Sequence, residues 1–188
     1  MSTHSAARVH YDRLSLRRLG LWLFILSESF LFFAFLSSRY YVLGIYRPEH
    51  LNQALGLIIT CILLLSSLTA YRAEVSVAHG DRERFLRNTL ATIGLGLLFL
   101  VGVGIEWVEA FAYFPPQQRF GTVFFSLTGL HAFHVLSGLV LLVFVWLHGR
   151  RGRFSAAHYW AVEGSVKYWH FVDVAWVFIY PTLYLVSL

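Results

Sequence analysis

Charged residues are scarce in this chain of 188 residues: Asp, Glu, Lys and Arg make up 13% of it, and hydrophobic residues make up 57%. Soluble proteins carry about a quarter charged residues, so the composition excludes an ordinary soluble domain. Cysteine is almost absent, since Cys61 stands alone within an apolar run. A single cysteine excludes an intrachain disulfide framework and a cluster of thiolate metal ligands. We interpret Cys61 as a small packing residue.

The basic residues are not gathered into one stripe, so the net charge of +5 does not indicate a nucleic-acid partner. They stand at the ends of apolar runs, as is typical of membrane proteins. The runs are continuous rather than alternating with period two, which excludes a transmembrane β-barrel. The apolar stretch after the basic N-terminus is too long for a signal peptide and lacks a small-residue cleavage site. We therefore expect a retained membrane anchor.

The apolar runs predict an all-α fold, a single membrane domain of five transmembrane helices over residues 1–188. A crossing needs about 20 mostly apolar residues. The predicted spans are residues 19–43, 51–71, 89–112, 120–147 and 164–188. Pro181 lies within the last span and should bend it slightly, because proline removes one backbone donor.

Arginine and lysine are divided unevenly between the two ends of these spans. One side carries twelve of them: Arg8, Arg13, Arg17, Arg18, Arg72, Arg82, Arg84, Arg87, Arg150, Arg151, Arg153 and Lys167. The other side carries three, Arg39, Arg47 and Arg119. Basic residues favour the cytoplasmic side. The bias predicts an N-terminus inside and, after five crossings, a C-terminus outside.

Three polar residues fall at membrane depth in different spans. Counting about 1.5 Å per residue from the inner surface, Glu28 lies roughly 14 Å deep, Asp173 roughly 12 Å and His134 roughly 21 Å. We expect the three to approach one another. Glu28 has phenylalanines around it on its own helix, an environment that penalises the charged form. Glu28 is either a structural acid that links two helices or a proton-linked or lipid-linked site. We hypothesise that His134 is its partner.

The last span opens with acid, imidazole and indole side chains. His170 and Asp173 are three apart, which places them on one helical face. Trp169 and Trp176 form a stripe beside them, and ionisable groups at such depth normally turn toward protein. The stripe should therefore face a partner helix. The alternative for His170 is an interfacial belt that anchors the span.

Two patterns mimic cofactor sites. His134 and His148 are fourteen apart, a spacing that suits two stacked haems, but the first three spans offer no second histidine ligand and the last offers only His170. We expect neither haem nor metal in this chain. Four glycines imitate a nucleotide-binding loop but follow no strand. We predict that they are close-packing positions: Gly94, Gly96, Gly102 and Gly104.

Three blocks carry a family resemblance. They are residues 21–35 (LWLFILSESFLFFAF), 121–143 (GTVFFSLTGLHAFHVLSGLVLLV) and 163–173 (EGSVKYWHFVD), followed by VAWVFIYPTLY. In this order they resemble subunit III of the haem-copper oxidases. The spacing T-G-x-H-x-x-H before E-x-x-x-x-Y-W-H-F-V-D is far more specific than apolar helices alone.

The resemblance implies a five-helix form of that subunit, without the two extra N-terminal helices of longer members. It implies no redox centre in this chain, which would pack on subunit I, the catalytic subunit with the haems and copper, in a hetero-oligomeric complex with subunit II. It also implies phospholipid in a V-shaped cleft. The matching buried positions are Glu28, His131, His134, Glu163, His170 and Asp173. The candidate contacts to lipid headgroups are Arg150, Arg151 and Arg153.

We therefore predict a non-catalytic subunit of a proton-pumping terminal oxidase in a bacterial cytoplasmic membrane, one that supports proton uptake and the stability of the catalytic subunit. The electron donor stays open, although Ser27-Glu28 resembles the cytochrome c enzymes more than the quinol enzymes. Alternatives within the family are a quinol oxidase subunit or the related subunit of a nitric oxide reductase. From other classes, the alternatives are a b-type cytochrome or a proton-coupled transporter that uses Glu28, His134 and Asp173.

Overall fold

The computed structural model describes residues 12–44, 48 and 51–186, which form five α-helices and no strand. The helices are α1 (Arg13–Leu43), α2 (Gln53–Ala78), α3 (Arg82–Tyr113), α4 (Arg119–Arg150) and α5 (Trp160–Tyr180). The predicted all-α class is confirmed. Several helices extend beyond the predicted spans because their backbone hydrogen bonding continues into polar turns. Arg8, Arg47 and the end of the fifth predicted span at 187–188 lie outside the described residues.

Four of these helices, α1 to α4, are long and apolar enough to cross a membrane, so the chain is a multi-pass membrane protein. The fifth helix is shorter, at 21 residues. It carries Glu163, Lys167 and Asp173, and these three formal charges lower its apolar character.

Helices α2 to α5 close into a four-helix bundle. Each packs against the next in the chain, and α5 packs back against α2. A tight turn joins α2 to α3: Gly80 has a φ of 76°, and the Asp81 side chain accepts a hydrogen bond from the backbone N–H of Arg84. Helix α1 lies outside this bundle and packs against α4 and α5. As a result, most of the surface of α1 is exposed.

Trp169 of α5 occupies the middle of the bundle and is fully buried. Its indole Nε1 donates to Ser66 Oγ of α2 at 3.0 Å. Its ring lies against Gly96 of α3 and Gly138 of α4, where a Cβ atom would come within 2.6 Å and 2.9 Å of it. Seven residues further along α5, which is about two helical turns, Trp176 Nε1 donates to Thr60 Oγ1 at 2.9 Å. The prediction that the tryptophan stripe faces other helices is confirmed.

The glycines of α3 divide into two pairs. Gly96 packs against Trp169, and Gly102 packs against Ile59, whose Cγ2 would lie 2.3 Å from an added Cβ. For these two, the predicted close-packing role is confirmed. For Gly94 and Gly104 the prediction is wrong, because an added Cβ would meet nothing within 4 Å. These two glycines fall on the helix face that points away from the neighbouring helices.

The α-helical part of α5 ends at Tyr180, and Pro181 begins a π-helical turn, Pro181–Leu185. The helix widens here, and the N–H of Val186 donates to the Pro181 carbonyl at 3.0 Å. The turn carries Tyr184 into the bundle, where its ring lies against Gly56 of α2.

Candidate functional site

Glu28 and His134 meet between α1 and α4, so their predicted proximity is confirmed. Glu28 Oε2 lies 3.2 Å from His134 Nε2. The two side chains are 19% and 6% exposed. The other ring nitrogen, Nδ1, lies 2.8 Å from the carbonyl oxygen of Leu130. The pair therefore joins the outer helix to the bundle at membrane depth.

The hydrogen-bond pattern assigns a proton to this pair. A carbonyl only accepts, so Nδ1 of His134 must be the protonated nitrogen, and Nε2 of the neutral ring has only a lone pair. A bond between Nε2 and the Glu28 carboxyl then needs one further proton. It sits either on the carboxyl or on the imidazole, where it creates an ion pair. The site can therefore hold one proton between the two groups.

Aromatic rings surround His134. The ring centroid of Phe32 lies 4.9 Å from that of His134, and the rings of Tyr168 and Phe171 both lie at 6.5 Å. Tyr168 is held in place by a 2.7 Å hydrogen bond between its hydroxyl and Ser137 Oγ. These aromatic rings give the imidazole an environment of low polarity, which strengthens its interaction with the Glu28 carboxyl.

Asp173 does not join Glu28 and His134, so the predicted approach of all three is wrong for Asp173. Its carboxyl is buried, and Oδ2 lies 4.0 Å from Nδ1 of His170. Residues two apart on a helix are separated by about 200°. Phe171 points toward α1 and α4, and Asp173 therefore points toward α2. Its position follows from helix rotation, which depth alone does not specify.

His170 and Ser67 connect α5 to α2 beside Asp173. Ser67 Oγ and His170 Nδ1 are 2.6 Å apart. This is not a nucleophilic triad, because the hydroxyl and the carboxylate both approach the same ring nitrogen. In a triad the serine and the acid contact opposite nitrogens. The arrangement is therefore an inter-helix polar contact within the membrane.

His131 lies one turn from His134 but in a different environment. It is fully buried, and its ring centroid lies 4.8 Å from that of Trp176 and 5.5 Å from that of Phe99. Within the described residues, neither ring nitrogen has a hydrogen-bond partner. The two histidines of the motif therefore diverge: His134 reaches α1, and His131 is enclosed by aromatic rings of α3 and α5.

Glu163 forms an ion-pair cluster at the beginning of α5. Its carboxylate accepts from Arg18 Nη2 of α1 at 3.0 Å and also from Lys167 one turn along its own helix. Arg18 additionally lies 6.0 Å above the ring of Trp160. This cluster ties the beginning of α1 to the beginning of α5.

The three arginines predicted to contact headgroups occupy different places. Arg150 lies 4.8 Å above the Trp146 ring, and Arg151 is exposed at the end of α4. Arg153 lines a groove of about 850 Å³ together with Arg13 and Arg17 of α1. Of the three, Arg153 alone lines this groove.

An apolar groove of about 790 Å³ lies next to the basic one, and the two share Trp160 and Ala161. Its walls come from α1, α4 and α5 and include Phe24, Phe133 and Val140. A basic chamber that continues into an apolar one has the polarity of a phospholipid with its headgroup and acyl chains.

Two buried charged residues were missed by sequence reasoning. Glu106 lies near the exit of its span and reads as interfacial, but it is 2% exposed and accepts a 2.6 Å hydrogen bond from the Tyr184 hydroxyl. Arg39 is fully buried and donates to the Gly44 carbonyl at 2.7 Å. For Glu106 the sequence gave no signal, because its partner Tyr184 is placed by a π-helical turn that has no sequence pattern.

His134 and His148, the two histidines with a haem-like spacing, make different contacts. His134 uses both ring nitrogens, and Nδ1 of His148 lies 2.8 Å from the Phe144 carbonyl. Among the described residues, no three His, Cys, Asp or Glu side chains are grouped to hold a metal ion.

The fold and these contacts define the class of protein: a multi-pass membrane protein whose acid and imidazole side chains lie at its helix interfaces. A family model described as Cytochrome c oxidase subunit III matches residues 10–188. The chain belongs to this family, as the resemblance of its three sequence blocks predicted. The family is a subunit of a multi-subunit oxidoreductase complex and lacks a redox centre of its own.

Curated relatives agree with the family model. Cytochrome c oxidase subunit 3 of Equus caballus is 31% identical over 179 residues, which cover 89% of this chain and 68% of the relative. The protein of the same name from Artemia franciscana is 34% identical over 176 residues, with the same coverage. That of Gadus morhua is 32% identical over 179 residues, again covering 89% and 68%.

Proposed function

We propose that this chain is a non-catalytic, integral subunit of a proton-pumping haem-copper terminal oxidase, packed on subunit I and accompanied by subunit II. Oxygen is reduced to water in subunit I, at haems and copper that this chain does not hold. The chain's part is to support proton uptake and the stability of subunit I. The observation that supports this role most directly is the Glu28–His134 pair, which can hold one proton between α1 and α4.

We further propose that α5 is the fifth crossing, in one five-helix membrane domain with its N-terminus inside. Packing supports this, because α5 contacts α1, α2 and α4 along its length and buries Trp169 and Trp176. The uneven distribution of basic residues supports the orientation. The proposed location is a bacterial cytoplasmic membrane, where that rule sets topology, although the relatives named above are animal proteins.

Purification in a mild detergent tests the proposal. We expect haem-bearing subunit I to co-purify with the tagged chain in a one-to-one ratio. All of the haem absorbance should belong to that partner. Isolation as a lone homo-oligomer would favour the proton-coupled transporter instead. The position of Asp173 counts against that alternative, because Asp173 faces α2 and not the Glu28–His134 pair. Haem bound stoichiometrically to the isolated chain would instead indicate a b-type cytochrome.

Substitutions of Glu28 should separate assembly from proton exchange. Glutamine keeps the side-chain size and donates through its amide to Nε2 of His134, so Glu28→Gln should retain subunit I. Alanine leaves a void and an unsatisfied imidazole, which costs about 1–3 kcal/mol, so Glu28→Ala should retain less. Because the amide cannot exchange a proton, Glu28→Gln should nevertheless slow oxygen consumption.

The readouts for Glu28 are the haem-to-subunit ratio after purification and the oxygen consumption of the assembled complex. Carbodiimide labelling of the unaltered protein tests whether the Glu28 carboxyl is protonated within the membrane. Equal assembly of the alanine and glutamine variants would argue that the hydrogen bond to His134 does not hold α1 in place.

We also propose that the joined basic and apolar grooves bind an anionic phospholipid. Arg13 and Arg153 line the basic groove, whereas Arg150 and Arg151 do not. Each basic contact to an anionic headgroup contributes about 1 kcal/mol. The double variant Arg13→Gln/Arg153→Gln should therefore bind phosphatidylglycerol about thirtyfold more weakly. The matched double variant Arg150→Gln/Arg151→Gln should change binding much less.

Lipid retention can be measured by native mass spectrometry of the purified complex during titration with phosphatidylglycerol. The two double variants remove the same charge from the same side of the membrane, so general surface attraction affects both. If they lose lipid equally, the groove is not the binding site.

A further inference from the structure

One face of α5 is left uncovered between α1 and α2. The residues on it recur at helical spacing: Lys167, His170, Val174 and Phe178. Val174 and Phe178 are exposed, and Lys167 and His170 are partly exposed. This surface, called here the α5 face, therefore combines an apolar outer half with a polar inner half.

His170 makes the α5 face unlike a lipid-facing surface. Its side chain is 35% exposed. Nδ1 is held by Ser67, and within the described residues Nε2 has no hydrogen-bond partner. His170 lies ten residues beyond Trp160, which is roughly 15 Å along the helix. Acyl chains offer no hydrogen bond, so an ionisable side chain at membrane depth normally turns toward protein.

A groove of about 460 Å³ runs beside the α5 face, between α1 and α5. Small side chains contribute to its lining: Ser29 and Ser37 of α1, and Ala175 of α5. Small residues let a second helix approach closely, and helix association in membranes depends on such close contact. Val174 and Phe178 of the α5 face also line this groove.

The outer face of α3 shows the contrast. Between Leu90 and Val108 its exposed large side chains are all apolar: Leu90, Leu97, Leu98, Val101, Ile105 and Val108. Its exposed charged side chains stand only nearer the two ends of the helix. That face suits acyl chains. The α5 face has instead a hydrogen-bonding group, His170, and lies beside a groove that is lined in part by small residues, a combination that suits protein.

We infer that the α5 face is the docking surface for a transmembrane helix of another oxidase subunit, one that presents a polar side chain to Nε2 of His170. The inference rests on the proposed function and deepens it, because it assigns the side of the chain that meets the rest of the complex.

Photo-crosslinking in the intact membrane complex tests the inference. A benzophenone-bearing amino acid replaces Val174 on the α5 face or Val101 on α3, two valines of similar exposure at 54% and 57%. We expect position 174 to give an adduct with another oxidase subunit and position 101 to give none. Only lipid adducts at position 174, or a subunit adduct at 101 instead, would overturn the inference.

A substitution supplies a second readout. His170→Leu removes the open nitrogen, and one inter-helix hydrogen bond corresponds to about a three- to thirtyfold change in association. We expect the His170→Leu variant to retain the haem-bearing subunit less well by this factor, and we expect His170→Gln to restore part of the retention. Retention equal to the unaltered chain would contradict the inference. If the leucine variant does not fold, as judged by helical circular dichroism, the crosslinks decide.

Different results would contradict the proposed function and the docking surface. An unaltered chain that purifies without any haem-bearing subunit defeats the proposed function. A chain that purifies with that subunit, but gives no subunit adduct from position 174, defeats only the docking surface.

Discussion

Truncation of Trp169 to alanine should destabilise the helix bundle by about 3–5 kcal/mol, the range for large-to-small changes at a buried tryptophan. Trp169 is fully buried and connects α5 to three other helices, through Ser66 on one side and Gly96 and Gly138 on the other. Its loss removes the contacts of the ring and leaves a hydroxyl without its donor.

The matched control for this change is Trp22→Ala. Trp22 lies on α1 and is 56% exposed, so its truncation leaves no internal void. Unfolding in mixed detergent micelles, followed by loss of helical circular dichroism, compares the two variants. A similar effect of both substitutions would show that the Trp169 contacts do not stabilise the bundle.

The same contact can be disturbed from the other side. Gly96→Val places a side chain where the Trp169 ring lies, whereas Gly104→Val on the same helix enters open space. Overpacking of a filled core costs about 1–3 kcal/mol, so only the first variant should unfold more readily in the same assay. Equal unfolding of the two valine variants would contradict this assignment.

Substitution of Gly121 by alanine should destabilise the protein by about 3 kcal/mol, at the upper end of the overpacking range. An added Cβ would lie 2.2 Å from the carbonyl oxygen of Pro115 and 2.4 Å from that of Phe114. Backbone atoms cannot rotate aside as a flexible side chain can. The beginning of α4 would have to shift, and α4 carries His131 and His134.

Gly129→Ala provides the control for Gly121→Ala within the same helix. There the nearest atoms belong to the Trp107 ring at 3.6 Å, an ordinary contact distance. Alanine is also the better helix former by about 1 kcal/mol, so this variant should match or exceed the stability of the unaltered chain. Thermal melting of both variants in detergent checks the pair. A stable Gly121→Ala variant would refute the backbone clash.

Apolar length and depth predicted much of this molecule from sequence. The Glu28–His134 contact followed from counting residues along two spans, because depth in a bilayer is one coordinate that sequence specifies well. The tryptophan stripe followed from spacing on one helix.

The errors arose where the rotation of a helix about its axis was decisive. Asp173 has the right depth but faces α2, and Gly94 and Gly104 share a helix with Gly96 but point away from its neighbours. Glu106 was missed for another reason, because its partner Tyr184 reaches it through a π-helical turn. The hydropathy of the sequence predicts neither the rotation of a helix about its axis nor a widened turn, since both are determined by packing against neighbouring helices.

The bond from His134 to the Leu130 carbonyl limits what this imidazole can do. A histidine that relays protons takes one up at one nitrogen and gives one away at the other. Here the second nitrogen is tethered to its own helix, so a proton that arrives from Glu28 can leave only by the way it came. If the pair holds a proton as proposed, His134 therefore retains that proton and does not pass it to another group of the bundle.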